Sequence, residues 1–228
     1  MGQPSPDLRN LNPASKEYLE AVYELGEEGQ RVLQARIGER LGLAPATVSE
    51  GVKRLIAEGY VTVEGARDIS LTEEGRVIAE ALVRRHRLAE RMLTDILGIQ
   101  WHLCHEQAED WEKVMTPEVE EAILAKLSGD PTCPHGNPIP GMTSAVPWSD
   151  LKSVAEMAQG EKGRLTRLLE DIELDHDVLK FLEDHSLMPG HDLSIVEVAP
   201  DGTRTLEVDG AKVALGADLA DNLWVLPA

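Results

Sequence analysis

A chain of 228 residues is long enough to bury a sizeable core and to hold one large domain or two to three small ones. Acidic residues outnumber basic ones 41 to 22, and the net charge of −19 excludes indiscriminate attraction to phosphate, so any nucleic-acid contact must come from a local basic face. Two cysteines, Cys104 and Cys133, exclude a disulfide framework.

Residues 1–12 are polar and Pro-containing and read as a loose arm without a hydrophobic signal region. No run in the chain approaches the roughly 18 apolar residues of a membrane span. The protein is therefore expected to be soluble and cytoplasmic, without membrane contact. Tyr18, Leu19, Val22, Tyr23 and Leu25 then follow a helical period, with Ser15 as the expected N-cap and Gly26 or Gly29 as the stop. Glu17 and Glu20 are neighbours on this helix, and on the residues alone they read as solvated acids.

Leu33, Ile37 and Leu41 form a short apolar stripe that Gly42-Leu43-Ala44 interrupts. Pro45 suits a first helical turn, and Val48, Val52, Leu55 and Ile56 give the next helix a buried side. Two short helices around a tight turn predict a helix-turn-helix whose second helix enters a major groove. The face offered to DNA carries Gln34, Ala46, Thr47, Ser49, Lys53 and Arg54. Small and hydroxyl side chains approach base edges there, and Lys53 and Arg54 suit phosphates. Glu50 shares that face, where a carboxylate either accepts from a cytosine amino group or repels phosphate. Residues 60–64 and 69–71 read as strands around Gly65-Ala66-Arg67-Asp68, a wing with Arg67 at its tip. Residues 29–71 hold six basic side chains against five acidic ones, a near-neutral stretch in an acidic chain.

Thr72 is expected to cap a long helix with Val77, Ile78, Ala81, Leu82, Leu88, Met92 and Ile96 apolar, ending at Gly98. Residues 101–115 and 117–127 read as two more helices, which together predict an all-helical core and a dimer interface. His86 and Glu90 are four apart on the first of these, and His105, Glu109 and Glu112 are four and three apart on the second. Residues so spaced share a helix face, with Cβ atoms roughly 5–6 Å apart. Two facing helices could therefore aim imidazoles and carboxylates into one gap, a donor set without thiolate that suits Mn²⁺ or Fe²⁺; the alternative is an ordinary pair of solvated helix faces.

Residues 128–147 are crowded with Gly and Pro and read as an ordered crossing loop and linker. Cys133 and His135 fall in that loop and read as loop residues, since two potential ligands alone do not make a site; His102 reads as a solvated helix residue, with a substitute ligand role as the alternative. Beyond Leu151 come a brief helix at 177–185 and strands at 192–198, 204–208, 212–215 and 222–226, which imply a small closed barrel. The fold class is mainly α with small β parts. The expected division is a winged DNA-binding domain at 1–72, a helical metal-binding and dimerisation domain at 73–141, a linker at 142–150 and a barrel at 151–228.

This order, with the strings HRLAERML, HEQAEDWEKVM, HGNPIPG and LMPG, resembles the diphtheria toxin repressor family over nearly the whole chain. Those are metal-activated transcriptional regulators of iron or manganese uptake. The resemblance implies a homodimeric, non-enzymatic regulator of a palindromic double-stranded operator, with an FeoA or SH3-like barrel and two metal sites per protomer for Mn²⁺ or Fe²⁺. The ancillary site would use His86, Glu90 and His105, completed by Glu170 and Glu173. The primary site would join Glu17 and Glu20 to Glu109 and Glu112. Glu109 stands where iron-responsive members carry Cys and manganese-responsive ones Glu; Glu17 stands where they carry Met and Asp. Both exchange sulfur for oxygen and tilt the site toward Mn²⁺. Lys113 departs from the family's usual His, and its ammonium has no lone pair to offer, so the primary site is expected to be rearranged, weaker or lost. The recognition-helix Pro is displaced by one position, so base contacts do not carry over. Ion binding would tie the first helix to the helical core and select a dimer with recognition helices one DNA turn apart. A dinuclear metallohydrolase and a metal-independent winged-helix regulator sensing a small ligand are the alternatives.

Overall fold

The computed structural model describes residues 6, 8, 11–65, 67–127, 131–142 and 146–228. Most of the expected N-terminal arm, Ala66 of the wing and parts of the 128–147 loop lie outside the described residues. The chain divides into two compact units, residues 1–86 with 115–120 and residues 87–114 with 121–228.

In the first unit, helix α1 (Pro13–Glu27) is capped by Asn12, whose side chain accepts from the Ala14 N–H at 3.0 Å. That corrects the expected Ser15 cap: Pro13 takes the first helical position, where its missing N–H costs nothing, so the helix begins before Ser15. Ser15 instead lies buried and donates to Glu58 Oε2 at 2.9 Å. Helix α2 (Gln34–Leu41) stops at Gly42, whose φ of 63° is left-handed backbone best tolerated by glycine. Helix α3 (Pro45–Ala57) follows at once with Pro45 on its first turn.

Tyr18, Leu19 and Val22 of α1, Ile37 of α2 and Val48, Val52 and Leu55 of α3 share one core. Each such side chain withdrawn from water stabilises the unit by about 1.5–3 kcal/mol. The α1–α3 approach is tight, since a Cβ on Gly51 would lie 2.3 Å from Tyr18 Cζ. Strands β1 (Val61–Glu64) and β2 (Asp68–Leu71) pair antiparallel to form the wing, and the Ile69 N–H donates to the Val32 carbonyl at 2.9 Å. Thr72 Oγ1 accepts from the Gly75 N–H at 3.0 Å and so caps helix α4 (Glu73–Arg91).

The α4 axis ends in a π-helical turn, Met92–Ile96, within the second unit. Where one helix spans 101–115 by sequence pattern, the chain makes a 3₁₀ turn at Trp101–Leu103 and then helix α5 (Cys104–Val114). Helix α6 (Pro117–Leu124) comes next.

The C-terminal part holds strands β3 (Lys152–Ser153), β4 (Lys162–Leu168), β5 (Asp192–Val198), β6 (Arg204–Val208), β7 (Ala211–Leu215) and β8 (Leu223–Pro227), separated by helices α7 (Glu170–Glu173), α8 (His176–Asp184) and α9 (Ala217–Asp221). Among the described residues the strands form one antiparallel sheet in the order β3-β8-β4-β5-β6-β7. Strand β4 escapes the sequence pattern because its inward positions include Gly163 and Arg167, which conceal the apolar alternation. Leu165, Leu168, Leu179, Leu182, Leu193, Ile195, Leu206 and Val225 fill the core behind the sheet. Among the described residues no helix is long and apolar enough to cross a membrane.

Candidate metal centre and DNA-binding surface

Glu90 near the end of α4 and His105 on the first turn of α5 are both buried, with Nδ1 of the histidine 3.0 Å from Oε1 of the glutamate. The 131–142 loop adds His135 and α7 adds Glu173. His135 Nδ1 lies 3.2 Å from Glu90 Oε1 and 2.8 Å from Glu173 Oε2. His105 Nδ1 lies 3.2 Å from the same Glu173 oxygen. Two carboxylate oxygens therefore alternate with two imidazole nitrogens, and the donor atoms all lie within 4.8 Å of one another.

The loop that carries His135 is held on several sides. Cys133 N–H donates to the Asn137 carbonyl at 2.7 Å, and the Leu168 N–H of β4 donates to the His135 carbonyl at 2.9 Å. Trp101 Nε1 donates to the Pro134 carbonyl at 2.9 Å. Gly136 has φ of 90°, and a Cβ there would sit 1.9 Å from the Thr166 carbonyl oxygen, so only glycine lets the loop approach β4. Asn137 Nδ2 donates to Glu173 Oε1 at 2.7 Å, which orients the carboxylate by its other oxygen.

Charge sets the protonation pattern. Burial would lower the His135 imidazole, but the Glu173 and Glu90 carboxylates hold it well above its ordinary value. Burial would raise Glu173, yet the His135 charge and the hydrogen bonds from His105 and His135 bring it down to about 2. The thiol of Cys133 in the same loop is pushed well up by burial and by the nearby Glu90 charge.

The donor chemistry fits a divalent cation. Donors bonded at roughly 2.1 Å and at right angles to one another sit about 3 Å apart. The four contacts here run from 2.8 to 3.2 Å.

Of the expected metal ligands, Glu90, His105 and Glu173 meet in this group. His135, read from sequence as a loop residue without a ligand role, is corrected to its fourth member: the backbone of Gly136 and β4, not helical periodicity, places it. His86 stands one turn before Glu90 on α4, half-buried and outside the four. Glu170 is engaged by Arg87, Nη2 to Oε1 at 2.7 Å, and burial together with the Glu173 charge raises its carboxyl despite that partner. Glu17 and Glu20 lie on α1 in the first unit, the former exposed and the latter half-buried. Glu109 and Glu112 lie on α5 in the second, likewise exposed and half-buried. Lys113 is exposed and donates to Asp110 at 3.2 Å. His102 is not solvated as expected but buried, bonded to the Glu183 carboxylate and with its ring centre 5.0 Å from that of His176.

On the winged unit, Gln34, Ala46, Thr47, Lys53 and Arg67 are exposed, and Ser49 and Arg54 are half-buried. Arg67 sits at the wing tip with φ of 79°. Arg54 is drawn inward, donating to Ser15 Oγ at 3.2 Å with its guanidinium 5.9 Å from the centre of the Tyr18 ring.

Three family models match the chain: the iron dependent repressor N-terminal DNA binding domain over residues 10–69, the iron dependent repressor metal binding and dimerisation domain over 72–141, and the FeoA domain over 152–227. The diphtheria toxin repressor of Corynebacterium diphtheriae is 37% identical over 226 residues, covering 96% of this chain and 99% of that protein. The iron-dependent repressor IdeR of Mycobacterium bovis is 35% identical over 212 residues, covering 89% and 92%. A solved manganese-dependent transcriptional repressor in complex with manganese superposes with a TM-score of 0.81 at 29% identity, covering 94% of this chain and all of that one. With a winged unit, a buried imidazole–carboxylate centre and a C-terminal sheet in the order these matches require, the chain belongs to the diphtheria toxin repressor family of metal-dependent DNA-binding repressors.

Proposed function

We propose that the protein represses metal-uptake genes in the cytoplasm when a divalent ion, Mn²⁺ in preference to Fe²⁺, is held by Glu90, His105, His135 and Glu173. The observation that carries this reading is the buried group of two imidazole nitrogens and two carboxylate oxygens within 4.8 Å. Nitrogen and oxygen donors without a thiolate among them favour such ions over softer ones. A bound cation supplies positive charge to a group otherwise balanced by protons. The chain's own residues do the rest: Asn137 orients Glu173, the Gly136 backbone fixes His135, and the core around them excludes water.

Exposed Thr47, Lys53 and Arg67 would meet DNA, in a homodimer on a palindromic operator. A second ion per protomer, with Glu109 and Glu112 of α5 among its ligands, belongs to the same proposal. Replacing Glu109 and Glu112 by Gln is then expected to reduce the bound metal from two ions per chain to one. The central test is operator binding followed by fluorescence anisotropy while Mn²⁺ or Fe²⁺ is added and then removed with EDTA. Equal DNA affinity with and without metal would end this reading.

A further inference from the structure

We infer that Cys104 is a positioning residue for the metal centre, its sulfur holding the far edge of His135 so that Nδ1 is the nitrogen presented to the carboxylates. The inference rests on the metal-binding role proposed above. Cys104 Sγ lies 3.8 Å from His135 Nε2, a hydrogen-bond distance for sulfur. Nδ1 of the same ring faces Glu173 Oε2 at 2.8 Å and Glu90 Oε1 at 3.2 Å. Sulfur thus bonds the ring at Nε2, while carboxylate oxygens stand beside a buried Nδ1 that has no hydrogen-bond partner of its own.

Histidines that bind metals usually donate their second N–H to a fixed partner, which sets the tautomer and the ring plane. Both Cys104 and His135 are fully buried, so solvent is excluded from that edge. Trp101 closes a further side, its ring centre 4.7 Å from that of His135. Cys104 also immediately precedes His105 on α5, so one helical turn carries a metal donor and the support of another. A neutral sulfur is a weak acceptor and draws on the N–H less than a carboxylate would, which leaves the imidazole a moderate donor.

The test compares Cys104→Ser, which keeps an acceptor, with Cys104→Val, which removes it at similar volume, in the full-length protein. Mn²⁺ affinity is measured by competition, and the imidazole ¹⁵N–¹H signals of the Zn²⁺-loaded protein by NMR. Cys104→Val is expected to weaken Mn²⁺ binding by about 10–100-fold and to lose the protected His135 Nε2–H signal. Cys104→Ser is expected to retain both. Wild-type Mn²⁺ affinity and signal in Cys104→Val would overturn the inference, as would an equal loss in both variants. A wild-type protein that binds Zn²⁺ but shows no protected His135 Nε2–H overturns it whether or not the variants fold. A wild-type protein that binds neither ion overturns the metal-binding role itself and this inference with it, which distinguishes the two failures.

Discussion

His135 Nδ1 lies 2.8 Å from Glu173 Oε2, and both side chains are shut away from water between a loop and a short helix. Removing either partner takes the nearer of two counter-charges from the other, Glu90 or His105 being left at 3.2 Å, and breaking a buried pair destabilises a fold by about 3–5 kcal/mol. His135→Ala and Glu173→Gln are therefore each expected to lower the metal-free unfolding free energy by that order. Each should also weaken Mn²⁺ binding at least tenfold in calorimetric titration. Wild-type affinity in both variants would remove these two residues from the centre.

The same pair ties stability to pH, and its His135 half does so in a direction opposite to metal affinity. His135 is held well above its ordinary value of 6.5, so its contribution is complete below that value and is lost as pH rises through the folded one. Glu173 is lowered from 4.5 to about 2, so its contribution is complete above 4.5 and is lost as pH falls through about 2. The metal-free protein is accordingly expected to melt at lower temperature as pH climbs above about 6.5. Mn²⁺ affinity should increase over that range, because the proton it competes with is leaving. A metal-free melting temperature that rises through this window would contradict the assignment.

Gly51 offers a test of the winged unit without touching metal. A methyl group there would lie 2.3 Å from Tyr18 Cζ, so Gly51→Ala is expected to destabilise by about 1–3 kcal/mol or more through overpacking. Adding Tyr18→Leu should recover part of that loss in denaturant unfolding. Simple additivity of the two substitutions would mean that the contact is not the cause.

Lys53 and Arg67 are exposed cations on the recognition helix and the wing. If each meets a phosphate, Lys53→Ala and Arg67→Ala should weaken binding alike on operator and unrelated DNA. Each should flatten the slope of log affinity against log salt by about 0.9. Thr47→Ala should instead alter sequence preference and leave the slope unchanged. An unaltered slope in both cation variants would place the phosphate contacts elsewhere.

Much of the winged unit is legible, because most of its turns are marked by side chains with few alternatives, the start of α1 at Asn12 rather than Ser15 being an exception. Gly42 adopts left-handed backbone, Pro45 opens a helix and Thr72 caps one, and each signal sits where the chain uses it. Glu90 and His105 are legible through the strings that carry the resemblance, whereas helical spacing pairs them with His86, Glu109 and Glu112, which lie outside the four. His135 is not legible, because a loop has no period, and its position follows from the Gly136 approach to Thr166 and the Leu168 N–H bond to its carbonyl. His102 is hidden likewise, its partner Glu183 lying on the distant helix α8. Strand β4 disappears because Gly163 and Arg167 occupy positions where an apolar residue would have announced it.

The donors of the centre are spread from Glu90 to Glu173 along the chain, with β4 lending the backbone that holds the loop between them. A ribosome adding roughly 5–20 residues per second releases the first donor several seconds before the last. A nascent chain whose winged unit has already folded thus lacks this centre's full set of donors. The complete donor set arrives only with the C-terminal half, so on the proposed role a cell's newest copies would be silent.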